Sequence, residues 1–206
     1  MATRYERYFP DTFPTADSIR LDIWSAQTFT IGNTGSNEKH LIYSIILKMG
    51  RMGAASHDFT FDITTTSGGQ PTSTILTTLT VPTSEFAVPG PVSYEFIFTG
   101  EEAILYPSTQ YAMVFHQLGG GPGEYTKIFL KSAGTYTGGG YLFSTDAGQS
   151  WSSLNYDAWF DEYGLLPPET EWETHLTFGT KIRPHVNKLG SYYRKKVIRE
   201  YERSQL

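Results

Sequence analysis

Cysteine is absent from the 206 residues, and charged residues make up only 18% of them. The first absence excludes a disulfide framework, a thiolate metal site and a cysteine nucleophile. The chain has no run of 18 apolar residues, so we predict no membrane-spanning helix. Charged residues near the N-terminus are followed by no apolar stretch, and we therefore expect no signal peptide and synthesis in a cytoplasm.

Aromatic residues and glycine are plentiful instead. Aromatics account for 15% of the chain and glycine for 20 residues. Many short strands joined by tight turns suit this composition better than helices do. We predict an all-β fold, an antiparallel β-sandwich or jelly roll over residues 19–164, with an extended N-terminal arm (1–18) and a C-terminal extension (165–206) that includes a short helix.

Alternation of apolar and polar residues marks about ten strands in the predicted body. The nearly continuous apolar run at residues 41–47 indicates a central strand covered on both faces. Gly and Pro punctuate the other segments, as in sandwiches and jelly rolls. The predicted strands are residues 19–23, 26–31, 41–47, 59–63, 75–81, 94–98, 111–117, 125–130, 141–143 and 158–163.

The N-terminal arm is predicted to be extended because Pro10 and Pro14 interrupt regular structure. Its aromatic residues Tyr5, Tyr8 and Phe9 would be costly to leave in water. We therefore expect the arm to pack either on its own domain or on a neighbouring subunit, and we predict these three residues as assembly contacts.

One octet predicts a specific turn. It contains Ser144, Asp146, Gly148 and Trp151 in the pattern Ser-x-Asp-x-Gly-x-Ser-Trp. We expect Gly148 to adopt positive φ, the Asp146 carboxylate to accept N–H bonds across the turn, and Trp151 to close its base. The pattern resembles the Asp-box hairpin of sialidases and other β-proteins, where it is structural, so we predict a structural hairpin.

Residues 20–164 as a whole resemble a loosely defined class of carbohydrate-binding-module-like jelly-roll domains. Four segments carry the likeness, and many members of the class are structural proteins of phages and archaeal viruses. The resemblance implies a jelly-roll fold and a role in a virion or in glycan binding. The segments are residues 24–30, 61–72, 106–114 and 138–164.

No catalytic constellation is predicted. Asp157 and Asp161 lie four residues apart on one predicted strand, too far apart for a glycosidase pair. The five histidines lack metal-ligand spacing, and we expect most of them at the surface. Acidic loops are compatible with a structural calcium ion, although no loop has the dense spacing of a calcium site. We expect no enzyme, no cofactor and no other metal.

Charge is distributed unevenly along the chain. Residues 181–206 carry eight basic and two acidic side chains, a net charge of +6, whereas the remainder has a net charge of −11. A helix over residues 192–204 would present a basic face. We predict that Arg194, Lys195, Lys196 and Tyr201 dock on an acidic neighbour, and we do not expect nucleic acid as the partner.

Two functions follow from these patterns. The first is a virion structural protein, a capsid decoration or tail-associated subunit held by its terminal arms to copies of itself or to a major capsid or tail protein. The alternative is a carbohydrate-binding module that attaches to a host or other surface glycan. Trp151, Tyr156 and Trp159 are the candidate glycan-binding rings, because flat aromatic rings stack on sugar faces and these three lie close to the hairpin.

Overall fold

Two antiparallel sheets make up the fold of the computed structural model, which describes residues 2–54, 56–98 and 103–167. A short 3-10 turn at Thr83–Glu85 is the helical part of these residues. The strands are β1 Thr3–Tyr8, β2 Thr15–Ile19, β3 Trp24–Thr30, β4 His40–Met52, β5 Asp58–Ser67, β6 Gln70–Pro82, β7 Val92–Ile97, β8 Ile104–Leu105, β9 Gln110–Gln117, β10 Tyr125–Ser132, β11 Tyr141–Ser144, β12 Ser152–Leu154, β13 Tyr156–Ala158 and β14 Phe160–Leu165.

The chain passes repeatedly between the two sheets. The six-stranded sheet has the order β12-β11-β3-β9-β5-β6. The eight-stranded sheet is organised around β4, which pairs with β14 and β10 and also with β7 and β8. Strand β4 is therefore central, as its apolar sequence predicts, and the β-sandwich prediction is confirmed for the described residues.

An aromatic core joins the sheets. Strand β5 directs Phe59, Phe61 and Ile63 inward, and all three are fully buried. The Phe61 ring lies 5.1 Å from that of Phe115 on the same sheet and 5.3 Å from that of Phe96 on the other. Because successive strand residues point to opposite faces, the intervening residues of β5 and β9 form the outer face of the six-stranded sheet.

The predicted N-terminal arm is extended, but it belongs to the body. Strand β1 pairs antiparallel with β14, and β2 pairs with β10. Tyr5 is 1% exposed, and its ring stacks at 3.6 Å on that of His40. The prediction of Tyr5 as an assembly contact is therefore wrong, because its own chain already buries it. Tyr8 is half-buried and bonds to Thr135 (3.0 Å), while Phe9 is exposed.

Strand prediction fails mainly where strands are short or turns are tight. The sequence predicts a strand over residues 19–23, but β2 ends at Ile19 and Leu21 adopts a φ of +46° in the following turn. Strands β8, β12 and β13, with two or three residues each, show no detectable alternation. The predicted C-terminal helix and its residues Arg194, Lys195, Lys196 and Tyr201 lie outside the described residues.

The β11–β12 hairpin has the internal bonding that its sequence predicts. The Asp146 carboxylate accepts bonds from the Ser150 backbone N–H (2.9 Å) and from the hydroxyl groups of Ser150 (2.5 Å) and Ser144 (2.7 Å). These bonds lower the pKa of Asp146 to about 2. Gly148 has a φ of +78°, as expected. The Asp146 carboxylate thus supplies hydrogen bonds in place of the backbone bonds between strands that the turn cannot make.

Substituting Gly148 should destabilise the chain. A Cβ there would lie 2.7 Å from Cε3 of Trp24, and the positive φ disfavours any L side chain. We predict that Gly148→Ala lowers the free energy of unfolding by about 1–2 kcal/mol in urea titrations. Gly140→Ala is the matched control, because its Cβ would meet nothing within 4 Å. Equal losses in both variants would contradict this account.

Candidate functional site

The outer face of the six-stranded sheet combines a small apolar patch with polar side chains. Ala26, Ala112, Val114 and Leu142 form a buried cluster on this face, and Trp24 and Trp151 pack partly buried against it. Residues facing the same way on β3, β5 and β9 are mostly threonine, aspartate, glutamine or histidine. The face is therefore neither a continuous hydrophobic interface nor a simple solvated surface.

The β5–β6 hairpin bends across this outer face. Its tip residue Gln70 donates a bond from Nε2 to the backbone oxygen of Trp151 (3.3 Å), which lies just before β12 at the other edge of the sheet. Three strands separate β12 from β5, about 19 Å at ordinary strand spacing. The ladder of β5 and β6 is irregular around Thr64. Such bulges bend a strand pair, and the bend carries the tip over the sheet.

A groove of about 370 Å³ lies between the hairpin tip and the sheet. This volume falls in the range of small-ligand sites. The groove is lined by residues of β3, β9, β11 and β12, by the tip glycine and by the loop before β11. These residues are Thr28, Thr30, Gly69, Gln110, Thr137, Gly138, Gly139, Gly140, Tyr141, Leu142, Ser153 and Leu154.

Hydrogen bonds between β3 and the glycine loop fix the floor of the groove. Thr30 Oγ1 donates to the Gly138 carbonyl at 2.6 Å. The Gly140 N–H donates to Thr28 Oγ1 at 2.8 Å, and that hydroxyl donates back to the Gly140 carbonyl at 3.2 Å. The Gln110 amide makes only a long contact with Gly138, at 3.5 Å. The Gln110 side-chain amide can both donate and accept hydrogen bonds, and it is the most available such group on the floor of the groove.

Glycine has two different uses in this loop. A Cβ on Gly139 would lie 2.0 Å from the Thr28 carbonyl oxygen, so only glycine allows the loop to approach β3. A Cβ on Gly140 would meet nothing within 4 Å, because that position faces open groove space. The first glycine builds the floor, and the second leaves backbone accessible to a ligand.

A histidine–aspartate pair lies on the same face, toward the opposite end of β9. His116 Nε2 is 2.9 Å from Asp62 Oδ2, and the His116 ring stacks on Trp24 with 4.3 Å between centroids. A Cβ on Gly148 would approach the Trp24 ring, whose indole N–H bonds to the Leu21 carbonyl. Trp24 is thus partly covered by its own chain, by His116 and by the turn at Gly148. His116 thus lies on the outer face as a hydrogen-bonded residue that keeps some exposure.

Another group of ionisable side chains is sealed inside the eight-stranded sheet. His40 Nε2 lies 2.9 Å from Glu162 Oε1, and both side chains are fully buried. Burial raises the pKa of Glu162, whereas the bond to His40 acts in the opposite direction. Glu6, paired with Glu162 across β1 and β14, accepts bonds from the N–H groups of Asn33 (2.9 Å) and Thr34 (3.1 Å). Without solvent access, this cluster ties β1 to the body and offers a substrate no entry.

His40 is an exception to the expectation that most of the five histidines lie at the surface. Its burial has a local cause, because Nδ1 lies 3.0 Å from the Glu38 carbonyl while Nε2 faces Glu162. Both ring nitrogens therefore have partners away from water.

The three predicted glycan-binding rings do not form one platform. Trp151 packs on the outer face of the six-stranded sheet, and half-buried Tyr156 packs against the main core. Trp159 is 4% exposed and contacts Phe9 (4.8 Å between ring centroids) and Lys48 Nζ (5.3 Å from the ring centroid) beside the eight-stranded sheet. Sequence proximity failed here because the chain changes sheets between Leu154 and Tyr156.

The two aspartates of the closing segment are also separated. The predicted single strand is divided at Trp159 into β13 and β14. Asp157 is 2% exposed and accepts bonds from the Tyr136 N–H (2.9 Å) and Gln27 Nε2 (3.4 Å), whereas Asp161 lies near Arg4 and Arg7. The prediction that both aspartates lie on one continuous strand is therefore wrong, because the strand breaks at Trp159.

Metal-ligating side chains do not gather in threes anywhere in the described ranges, so no described cluster matches a calcium site. Across these same ranges, no helix is long and apolar enough to cross a bilayer.

Sequence reasoning missed the groove residues Thr30, Gln110 and Gly140. The Gly138–Gly140 run was a detectable signal, but its partner strands were not.

Comparison with known proteins supports the fold. No family model matches the chain, and no curated protein matches its sequence. One similar solved structure is that of the cysteine protease and lectin-like domains of Cwp84, a surface layer associated protein of Clostridium difficile. The TM-score is 0.53 at 9% identity, over 81% of this chain and 36% of that one. The likeness is one of fold, and this chain spans about a third of that protein.

Stability should depend on pH through Asp157, whose pKa burial raises to about 6. A carboxyl group whose pKa is higher in the folded than in the unfolded chain stabilises the fold when the pH is below its unfolded pKa of about 4. This contribution is lost as the pH rises through its folded pKa of about 6. We predict that Asp157→Asn reduces the fall in unfolding free energy between pH 4 and 7 by about 2 kcal/mol.

Urea titrations across this pH range would measure the difference. Asp58→Asn, which changes an exposed carboxylate at the start of β5, is the control and should follow the wild type. Parallel profiles for wild type and Asp157→Asn would contradict the prediction.

Proposed function

We infer that the chain is a carbohydrate-binding protein and that its site is the groove on the outer face of the six-stranded sheet. The observation that carries this proposal is the groove itself, a hydroxyl-, amide- and backbone-lined channel beside an apolar patch. Sugars present hydroxyl groups together with apolar C–H faces, so a site of this mixed character suits them. Likeness to a structure that contains a lectin-like domain adds slight support.

Each part of the groove has a role in this proposal. The Gln110 amide offers both a donor and an acceptor to sugar hydroxyl groups. The apolar surfaces of Leu142 and Leu154 would contact C–H groups, and Leu154 is 37% exposed. Trp151 remains a candidate contact because it packs partly exposed beside Leu142. Tyr156 and Trp159 are assigned no part in this site, since they lie elsewhere.

Filling the groove should abolish binding without unfolding the chain. We predict that Gly140→Leu reduces retention on a glycan array to background, because its side chain would occupy space now open to a ligand. Gly123→Leu is the matched control, since a Cβ there also meets nothing within 4 Å and the residue lies in the loop between β9 and β10, beyond the other end of β9. Circular dichroism would verify that both variants are folded.

Wild-type protein that retains no glycan above background would refute the proposed function. Equal retention by wild type and Gly140→Leu would refute the assignment of the groove. Trp151→Ala is a weaker test, because this change also removes packing from the apolar cluster beneath the ring.

A virion structural role remains a second proposal, supported by the contrast between the basic segment at residues 181–206 and the acidic remainder. Such a segment suits docking on an acidic neighbour. We predict that removing residues 185–206 leaves the body folded but prevents its incorporation into particles, measured by co-sedimentation. Normal incorporation of the shortened chain would contradict this proposal.

A further inference from the structure

We propose that the groove selects uncharged saccharides and discriminates against acidic ones that carry sialyl, uronyl or sulfate groups. This inference rests on the proposed carbohydrate-binding function and specifies its ligand class. It follows from the chemistry of the lining, which contains no aspartate, glutamate, lysine, arginine or histidine among the described residues that border the groove.

Tyr141 is the one ionisable side chain in the lining, and it is kept neutral. Its hydroxyl donates to Asp17 Oδ2 at 3.0 Å, on the core side of β11. Burial raises the pKa of Tyr141 well above its usual value, and the neighbouring aspartate raises it further. The groove therefore presents no ionised group of its own at neutral pH.

The remaining polar groups suit hydroxyl ligands better than anions. The Thr30 hydroxyl proton is committed to the Gly138 carbonyl at 2.6 Å, and that of Thr137 to Asn33 Oδ1 at 3.2 Å. Both oxygens therefore offer lone pairs, which accept a bond from a sugar hydroxyl but repel a carboxylate or sulfate oxygen. Among the side chains of the lining, donors are supplied by the Gln110 amide and the exposed Ser153 hydroxyl.

An anion in this groove would lose water without gaining a cation. Partial desolvation of an unpaired charge is unfavourable, and binding sites for acidic groups normally supply arginine or lysine. The net charge of −11 outside the basic segment adds long-range repulsion at low salt. Both effects act in the same direction and favour neutral ligands.

Matched glycans test this selectivity on the full-length protein. An array would present neutral oligosaccharides, including lactose and cello-, xylo- and chito-oligosaccharides, beside the same backbones bearing sialyl, glucuronyl or sulfate groups. For each neutral glycan retained, we expect the acidic counterpart to bind at least about tenfold more weakly by calorimetry, the usual scale for an unpaired charge. Equal or tighter binding of the acidic member would overturn the inference.

A gain-of-function variant provides the second arm. Gln110→Lys places a cation on the groove floor, so the ratio of the affinity for acidic glycans to that for neutral glycans should rise about tenfold. The matched control is Gln149→Lys, in the exposed β11–β12 turn, and it should leave this ratio unchanged. If the wild type favours acidic glycans and Gly140→Leu removes that binding, the proposed selectivity is refuted while the proposed function stands. Absence of all glycan binding would refute the function itself.

Discussion

The alternation of side chains along β5 and β9 is the constraint on which the rest of the structure depends. Phe59, Phe61 and Phe115 must face inward to fill the space between the sheets. The period of two then sends Asp62 and His116 outward, onto the opposite face of the same sheet. A one-residue slip in either strand would exchange these sets, so the register of the core also fixes the composition of the candidate binding face.

Buried polar contacts add a second level of specification. Glu6 has partners in the chain just after β3, and Glu162 is bonded to His40 of β4. Removing one member would leave the other polar group buried without its partner, which is costly in a dry environment. These contacts specify where β1 sits and leave little freedom for an alternative pairing of the N-terminal segment. Apolar packing alone is not directional, so the core could not specify the pairing of β1 by itself.

Much of the architecture was predictable because its signals are local. The long strands β4, β5 and β9 have clear apolar patterns, and the turn at Asp146 depends on residues only a few positions apart. The groove was not predictable, because Thr30, Gln110 and Gly140 are brought together by strand order, and strand order is set by long-range packing. The pairing of His40 with Glu162 is similarly non-local, since 122 positions separate the two.

The pairing of β1 with β14 brings Thr3 directly opposite Gly164, at an edge of the eight-stranded sheet. The first and last strands of the described body therefore share one border of the sandwich. The groove opens on the outer surface of the other sheet. Any larger structure joined to the body through these neighbouring strands would hold it at this border, while the proposed binding groove opens on the other sheet.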